Sequence, residues 1–153
     1  MVDVSNQDVR QLSNDLVVLS ARLVRDVRRN TADIPAASTR LMSLLDELGP
    51  STVSALSQAD RCSQPTMTGL VNGLVARDWL QRTPHPDDAR SALISMTAEG
   101  HRTLTAVRSR NAALVAERIT ASGRSPKDLA TAVAVLSDIV NEGRLLDGLE
   151  SKC

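Results

Sequence analysis

The stretch 51–97 constrains this chain more than any other part. Its pattern orders two short helices, a strand, an acidic-then-basic tip and a second strand. Ser51-Thr52 can cap a short helix holding Val53, Leu56 and Ala59. Asp60-Arg61-Cys62 turns the chain, and Ser63 caps the next helix. Pro65 is tolerated there because the first helical turn has no N–H bond to lose. Met67, Leu70, Val71 and Leu74 recur at helical spacing and face inward. The opposite face carries Gln64, Pro65, Thr66, Thr68, Gly69, Asn72 and Gly73. Leu80-Gln81-Arg82-Thr83 and Ala92-Leu93-Ile94-Ser95 read as strands on either side of Pro84-His85-Pro86-Asp87-Asp88-Ala89-Arg90.

Helical periodicity fills both flanks. Val9, Leu12, Leu16, Leu19 and Leu23 predict an amphipathic helix from about Asn6 to Asn30. Asp33-Ile34-Pro35 breaks it, and Pro35 suits the first turn of the next helix. That helix turns Leu41, Leu44, Leu45 and Leu48 inward and stops at Gly49-Pro50. Thr97 caps a long helix with Glu99 in its first turn, where a carboxylate complements the helix dipole. Leu104, Val107, Leu114, Val115 and Ile119 form its stripe, and Gly123 ends it. Ser125-Pro126-Lys127-Asp128 starts a last helix with Leu129, Val133, Leu136 and Val140, then Leu145, Leu146 and Leu149. These flanks carry more apolar stripe than one small domain needs. Either they only cap its core, or the first helix and the last two interleave with those of a second copy.

At 153 residues one domain, 1–153, is the default, long enough to bury a core without disulfides or metals. Hydrophobic residues make up 42%, but aromatics only 1%, a lone Trp79 with no Phe or Tyr. The core is therefore expected to be aliphatic, mainly Leu, Val and Ala, which favours helices packing on helices. No apolar run approaches the roughly 18 residues that span a bilayer. The start, Met1-Val-Asp-Val-Ser, has neither a basic region nor an apolar stretch, so no secretory signal and a cytoplasmic location are expected.

Taken in this order, the residues of 51–97 resemble the multiple-antibiotic-resistance regulator (MarR) family of bacterial transcription factors. The most diagnostic piece is Asp88-x-Arg90 followed by an apolar strand ending in Thr97-x-x-Gly100. The resemblance implies a mainly α chain of α+β class. A winged helix-turn-helix would occupy 51–97, with additional N- and C-terminal helices, 1–48 and 98–149, for dimerisation. It also implies a homodimer on a pseudo-palindromic double-stranded DNA operator, since two recognition helices about one DNA turn apart read a two-fold-related site. A repressor of this kind is relieved by a small-molecule effector lodged between dimer helices and winged domain, through unequal affinity for two arrangements. Relatives often bind phenolic acids there; this chain has no Phe or Tyr to line such a cleft, leaving Arg, Val and Leu from the first two helices.

On this reading the DNA-contacting residues are Ser63, Gln64, Pro65, Thr66, Thr68 and Asn72 on the second short helix, with Arg61, Arg82, Asp88 and Arg90. Gln64 and Asn72 can pair with adenine edges, and threonine can meet a thymine methyl or a phosphate. Alternatively, Thr66 and Thr68 satisfy local backbone groups. Arg90 is placed for the minor groove, where negative potential is focused, and Asp88 helps hold it and the hairpin. Arg61 and Arg82 are either phosphate contacts or solvated surface charges. The net charge is zero, but residues 61–110 hold seven arginines against four carboxylates, or +3, while the tail after Val140 is −1. Binding should therefore be salt-sensitive and modest in strength.

The chain departs from the family pattern at four points. Gly69 and Gly73 stand where basic residues are common, so either the backbone approaches something closely or affinity falls. Ala89 replaces a second wing arginine. Asp78 replaces a helix-ending glycine, and aspartate tolerates the left-handed conformation better than most residues.

Other constellations are weaker. His85, Asp87 and Asp88 on one exposed hairpin rarely close a metal shell, and the proline-rich tip explains them better. His101 reads as a packing or surface residue. Cys62 and Cys153 do not make a disulfide framework. Cys62 is a buried small side chain or, near Arg61 and a helix N-terminus, an oxidisable one, a possible redox site. No nucleophile–base pair, phosphate loop or paired carboxylates appear, so neither an enzyme nor a cofactor is expected. The contrasting function is a winged helix reused as a protein-interaction module, which zero net charge and Gly69 and Gly73 favour. A third is a regulator that binds DNA and ignores every ligand.

Overall fold

The computed structural model describes the backbone of residues 6–29, 34–88 and 90–150, and the side chains of these apart from Asn6 and 144–150. Asn30, Asp33, Ala89 and Cys153, and the side chains of Leu145, Leu146 and Leu149, lie outside the described residues. The elements run α1 (Asn6–Arg29), α2 (Ala36–Leu48), β1 (Ser51–Thr52), α3 (Val53–Ala59), α4 (Gln64–Val75), β2 (Leu80–Pro84), β3 (Ala92–Met96), α5 (Ala98–Ala121) and α6 (Pro126–Glu150). The chain divides into two compact units, Met1–Asn111 and Ala112–Cys153. No helix among the described residues is long and apolar enough to cross a membrane.

In the first unit, the sheet order is β1-β3-β2, all antiparallel. Leu80 pairs with Met96 and Pro84 with Ala92, while Ser51 pairs with Ile94 and Thr52 with Leu93. The sequence predicts only two of these strands. The third, Ser51–Thr52, is two residues long, and Thr52 serves it while also capping α3 through Ala55 N–H (3.2 Å). The first strand also runs one residue further than expected, to Pro84. An edge strand allows this, because the missing N–H faces no neighbour.

Beneath the sheet, Leu41, Met42, Leu45, Leu56, Met67, Val71, Leu74, Leu80, Ile94, Met96 and Leu104 form one buried cluster. Each side chain fully withdrawn from water there contributes about 1.5–3 kcal/mol. The expectation of an aliphatic core holds, with methionine in place of much of the expected valine and alanine; flexible Met42, Met67 and Met96 fill gaps that rings would otherwise take. Leu48, expected inward, is 52% exposed because α2 ends beside Gly49 at φ 74°. Pro35 is the residue before α2, not within its first turn. Most of the predicted stripe of α1 (Val9, Leu12, Leu19 and Leu23) is exposed, and among the described side chains of the helix only Val27 is buried.

The second unit holds the end of α5, a turn with Gly123 at φ 71°, and α6. Ser125 and Asp128 cap α6 reciprocally: Asp128 N–H donates to Ser125 Oγ (3.2 Å), and Ser125 N–H to Asp128 Oδ2 (2.9 Å). Ser125 N–H and then Ser125 Oγ (3.0 Å), both donating to Asp128 Oδ2, hold the Asp128 carboxyl below its usual value. Val133, Val135, Leu136, Ile139 and Val140 of α6 are all exposed.

Candidate nucleic-acid interface

The turn between α3 and α4 is fixed from outside. Arg40 on α2 donates to both oxygens of Asp60, from Nε at 2.5 Å and Nη2 at 2.9 Å. The Asp60 side chain is 8% exposed, and its hydrogen bonds raise the Arg40 pKa, so the guanidinium stays charged. Arg61 follows in the left-handed region at φ 52°, with its side chain exposed. Cys62 is half-buried against the core, and its N–H donates to Ser57 O (3.0 Å).

Ser63 then starts α4. Its Oγ accepts from Thr66 N–H (3.2 Å) and lies 2.7 Å from Thr66 Oγ1, with Pro65 in the first turn as expected. Met67, Val71 and Leu74 lock one face of α4 into the core, and Leu70 is half-buried. Gln64, Pro65, Thr66, Thr68, Gly69, Asn72 and Gly73 are all exposed on the other side. Thr66 is thus engaged in the cap, and Gln64 Nε2 donates to Ser54 Oγ (3.2 Å). Asn72 is tied to the wing, its Oδ1 accepting from Arg82 Nη2 at 2.5 Å.

At the wing tip, Asp88 acts on the backbone. Its carboxylate accepts from Ser91 Oγ (2.7 Å) and from Arg90 N–H (3.0 Å), and these bonds, Ser91's first, lower its pKa. It therefore holds Arg90 through the main chain. His85 Nδ1 accepts from Asp87 N–H (3.2 Å), and no cluster of three metal-ligating side chains occurs among the described residues. Arg82 and Arg90 line one groove of about 250 Å³ with Thr52, Val53, Ser54 and Ser91. Two guanidinium groups and three hydroxyls, with no carboxylate in the lining, suit phosphate oxygens. Sequence reasoning missed Ser54, Arg40 and Asp60 here. Only Asp60, just past a short helix, carried any local signal.

A polar helix face beside a two-arginine groove, carried on a three-stranded winged domain, is the architecture of a helix-turn-helix transcriptional regulator. Residues 34–92 match the MarR family. An uncharacterised HTH-type transcriptional regulator of Mycobacterium bovis is 30% identical over 128 residues, spanning 82% of this chain and 90% of that protein. Among solved structures, a MarR family protein from Bacillus stearothermophilus matches with a TM-score of 0.73 at 19% identity, over 92% of this chain and 98% of that one. A mutant MarR from E. coli complexed with operator DNA matches with a TM-score of 0.58 at 18% identity, over 86% of this chain and 95% of that one. The chain belongs to the MarR family. It is a DNA-binding transcriptional regulator and not an enzyme.

Proposed function

We propose that the protein is a homodimeric, cytoplasmic repressor that binds a pseudo-palindromic double-stranded operator and is released by a small-molecule effector. One observation carries the reading: α4 is anchored by Met67, Val71 and Leu74 so that its polar face stands outward beside Arg82 and Arg90. Ser63 and Pro65 set the start of α4. Gln64, Thr66, Thr68 and Asn72 meet base edges or thymine methyls in the major groove. Arg61 and Arg82 meet phosphates, and Arg90, on a tip shaped by Asp88, enters the minor groove. The exposed Val9, Leu12, Leu19 and Leu23 of α1 support a dimer, as do the exposed Val133, Leu136, Ile139 and Val140 of α6. The operator complex of a MarR relative supports the choice of DNA as partner.

The test is fluorescence anisotropy with a duplex from upstream of the gene's own start and a scrambled duplex, at two salt concentrations. The parent is expected to prefer the first duplex, and Arg90→Ala to lose most of that binding. Absence of binding by either protein at low salt points instead to a protein-interaction module. Light scattering tests the second copy, with twice the chain mass expected.

A further inference from the structure

We propose a phosphate-binding subsite on the side of α4 that faces the start of α2, formed by the first turn of α2, Ser38, Gly69, Gly73 and Arg77. It rests on the DNA-binding reading for its ligand, a phosphate of the DNA backbone. A groove of about 150 Å³ lies there, lined by Pro35, Ser38, Gly69, Leu70, Gly73 and Arg77. Gly69 and Gly73 are one helical turn apart, and a Cβ at either would meet nothing within 4 Å. The groove is therefore open because two side chains are absent from an exposed helix face.

Two kinds of donor line it, the Ser38 hydroxyl and the Arg77 guanidinium, and a third lies beside it at the start of α2. Pro35 gives α2 no side-chain cap. Ser38 and Thr39 N–H both bond Pro35 O, at 2.9 and 3.2 Å, which leaves the N–H groups of Ala36 and Ala37 outside the helix ladder at the positive end of the dipole. Ser38 is only 4% exposed and lines the groove, and its hydroxyl has no hydrogen-bond partner among the described residues. The hydroxyl is not among the fully buried unpaired atoms, so its oxygen reaches solvent, and a ligand oxygen in the groove can replace water as its partner. Arg77 supplies the countercharge, its guanidinium lying 5.2 Å from the centre of the Trp79 ring.

Donors at this site, with no carboxylate in the lining, match the acceptor-only oxygens of a phosphate. Gly69 and Gly73 follow the residues of α4 proposed to enter the major groove, and backbone phosphates flank such a helix. Main-chain and hydroxyl donors read no base, so the subsite adds affinity and register without sequence preference. It also restores, at position 77, positive charge that positions 69 and 73 do not carry.

Two measurements on the full-length protein test it. The first follows anisotropy of the upstream and scrambled duplexes across a salt series for the parent, Ser38→Ala and Arg77→Gln. Both variants are expected to lose affinity on both duplexes by a common factor, about three- to tenfold for Arg77→Gln, whose salt slope drops by about one. The second titrates inorganic phosphate at constant ionic strength and follows amide resonances. Those of Ala36, Ala37 and Ser38 are expected to shift saturably in the parent and not in Arg77→Gln. An unchanged salt slope together with unmoved amides overturns the subsite even where DNA binds. A parent that binds neither duplex but whose amides still saturate with phosphate sinks the DNA reading and leaves a site for a free phosphate group. A lowered slope without those shifts assigns the subsite to the DNA backbone alone.

Discussion

Gly100, near the start of α5, packs its main chain against the carbonyl of Trp79, so that a Cβ at position 100 would overlap that oxygen. The same carbonyl accepts from Thr97 N–H (3.0 Å). Thr97 Oγ1 in turn donates to Asp78 O (2.5 Å) and accepts from Gly100 N–H (3.0 Å). The start of α5 is thus clamped to the turn that ends α4, where Asp78 holds φ 59°. Gly100→Ala cannot be absorbed by a rotamer change, since its neighbour is backbone. A loss of about 2–4 kcal/mol is expected in urea unfolding, with most DNA binding lost as the wing shifts.

Gly69 and Gly73 predict the opposite sign. Neither has a positive φ and neither Cβ would touch anything, so alanine gains helix propensity at no steric cost. Gly73→Ala should stabilise the fold by about 0.5–1 kcal/mol. If the groove beside it holds a phosphate, the same variant weakens DNA binding. A stabilised variant with unchanged affinity shows that the missing side chain serves nothing.

What was legible in the sequence is what local chemistry decides. Ser63 with Thr66, Thr97 with Gly100, and Ser125 with Asp128 are caps whose partners lie three residues on, and each caps its helix where the pattern predicts a start. The outward set on α4 follows from its period alone. The rest depends on contacts across the chain. Arg40 meets Asp60 from 20 residues away and Arg108 meets Asp46 from 62, with no local pattern to announce either. Strand β1 was missed because two residues carry no period, and only pairing with Ile94 and Leu93 makes them a strand. Arg61 takes a left-handed conformation that its residue type does not favour, imposed by a turn pinned at Asp60. In the site, exposure was readable but engagement was not: Gln64, Thr66 and Asn72 all face outward, yet each already has a side-chain partner.

The wing tip should be insensitive to pH until well into acid. Asp88 has a lowered pKa because Ser91 Oγ and then Arg90 N–H donate to its carboxylate. A depressed carboxyl contributes fully above its unfolded value, here near the ordinary 3.8, and loses that contribution as pH falls through the lower folded value. Hydrogen exchange at the Arg90 amide, corrected for intrinsic rate, is expected to stay flat through neutral and mildly acidic pH and to rise only below that value. Asp88→Ala removes the acceptor and should give fast exchange throughout. A transition already at neutral pH would show that Asp88 does not set the tip's order.

The 2.5 Å contact between Arg82 Nη2 and Asn72 Oδ1 sets a test of how the recognition helix reads DNA. Paired recognition of adenine needs both the oxygen and the nitrogen of an asparagine amide, but in the free protein the wing already occupies the oxygen. Either Arg82 lets go on binding, to meet a phosphate, or Asn72 enters the groove as a donor alone. In both cases the two residues act as a unit. Asn72→Ala and Arg82→Ala should each weaken operator binding, and the double variant should lose less than their sum, with a coupling of about 0.5–1.5 kcal/mol. Because the pair is exposed, its effect on unfolding should stay below about 1 kcal/mol. Additivity within about 0.3 kcal/mol would show that the contact does not matter in the complex and that the wing and helix contribute independently.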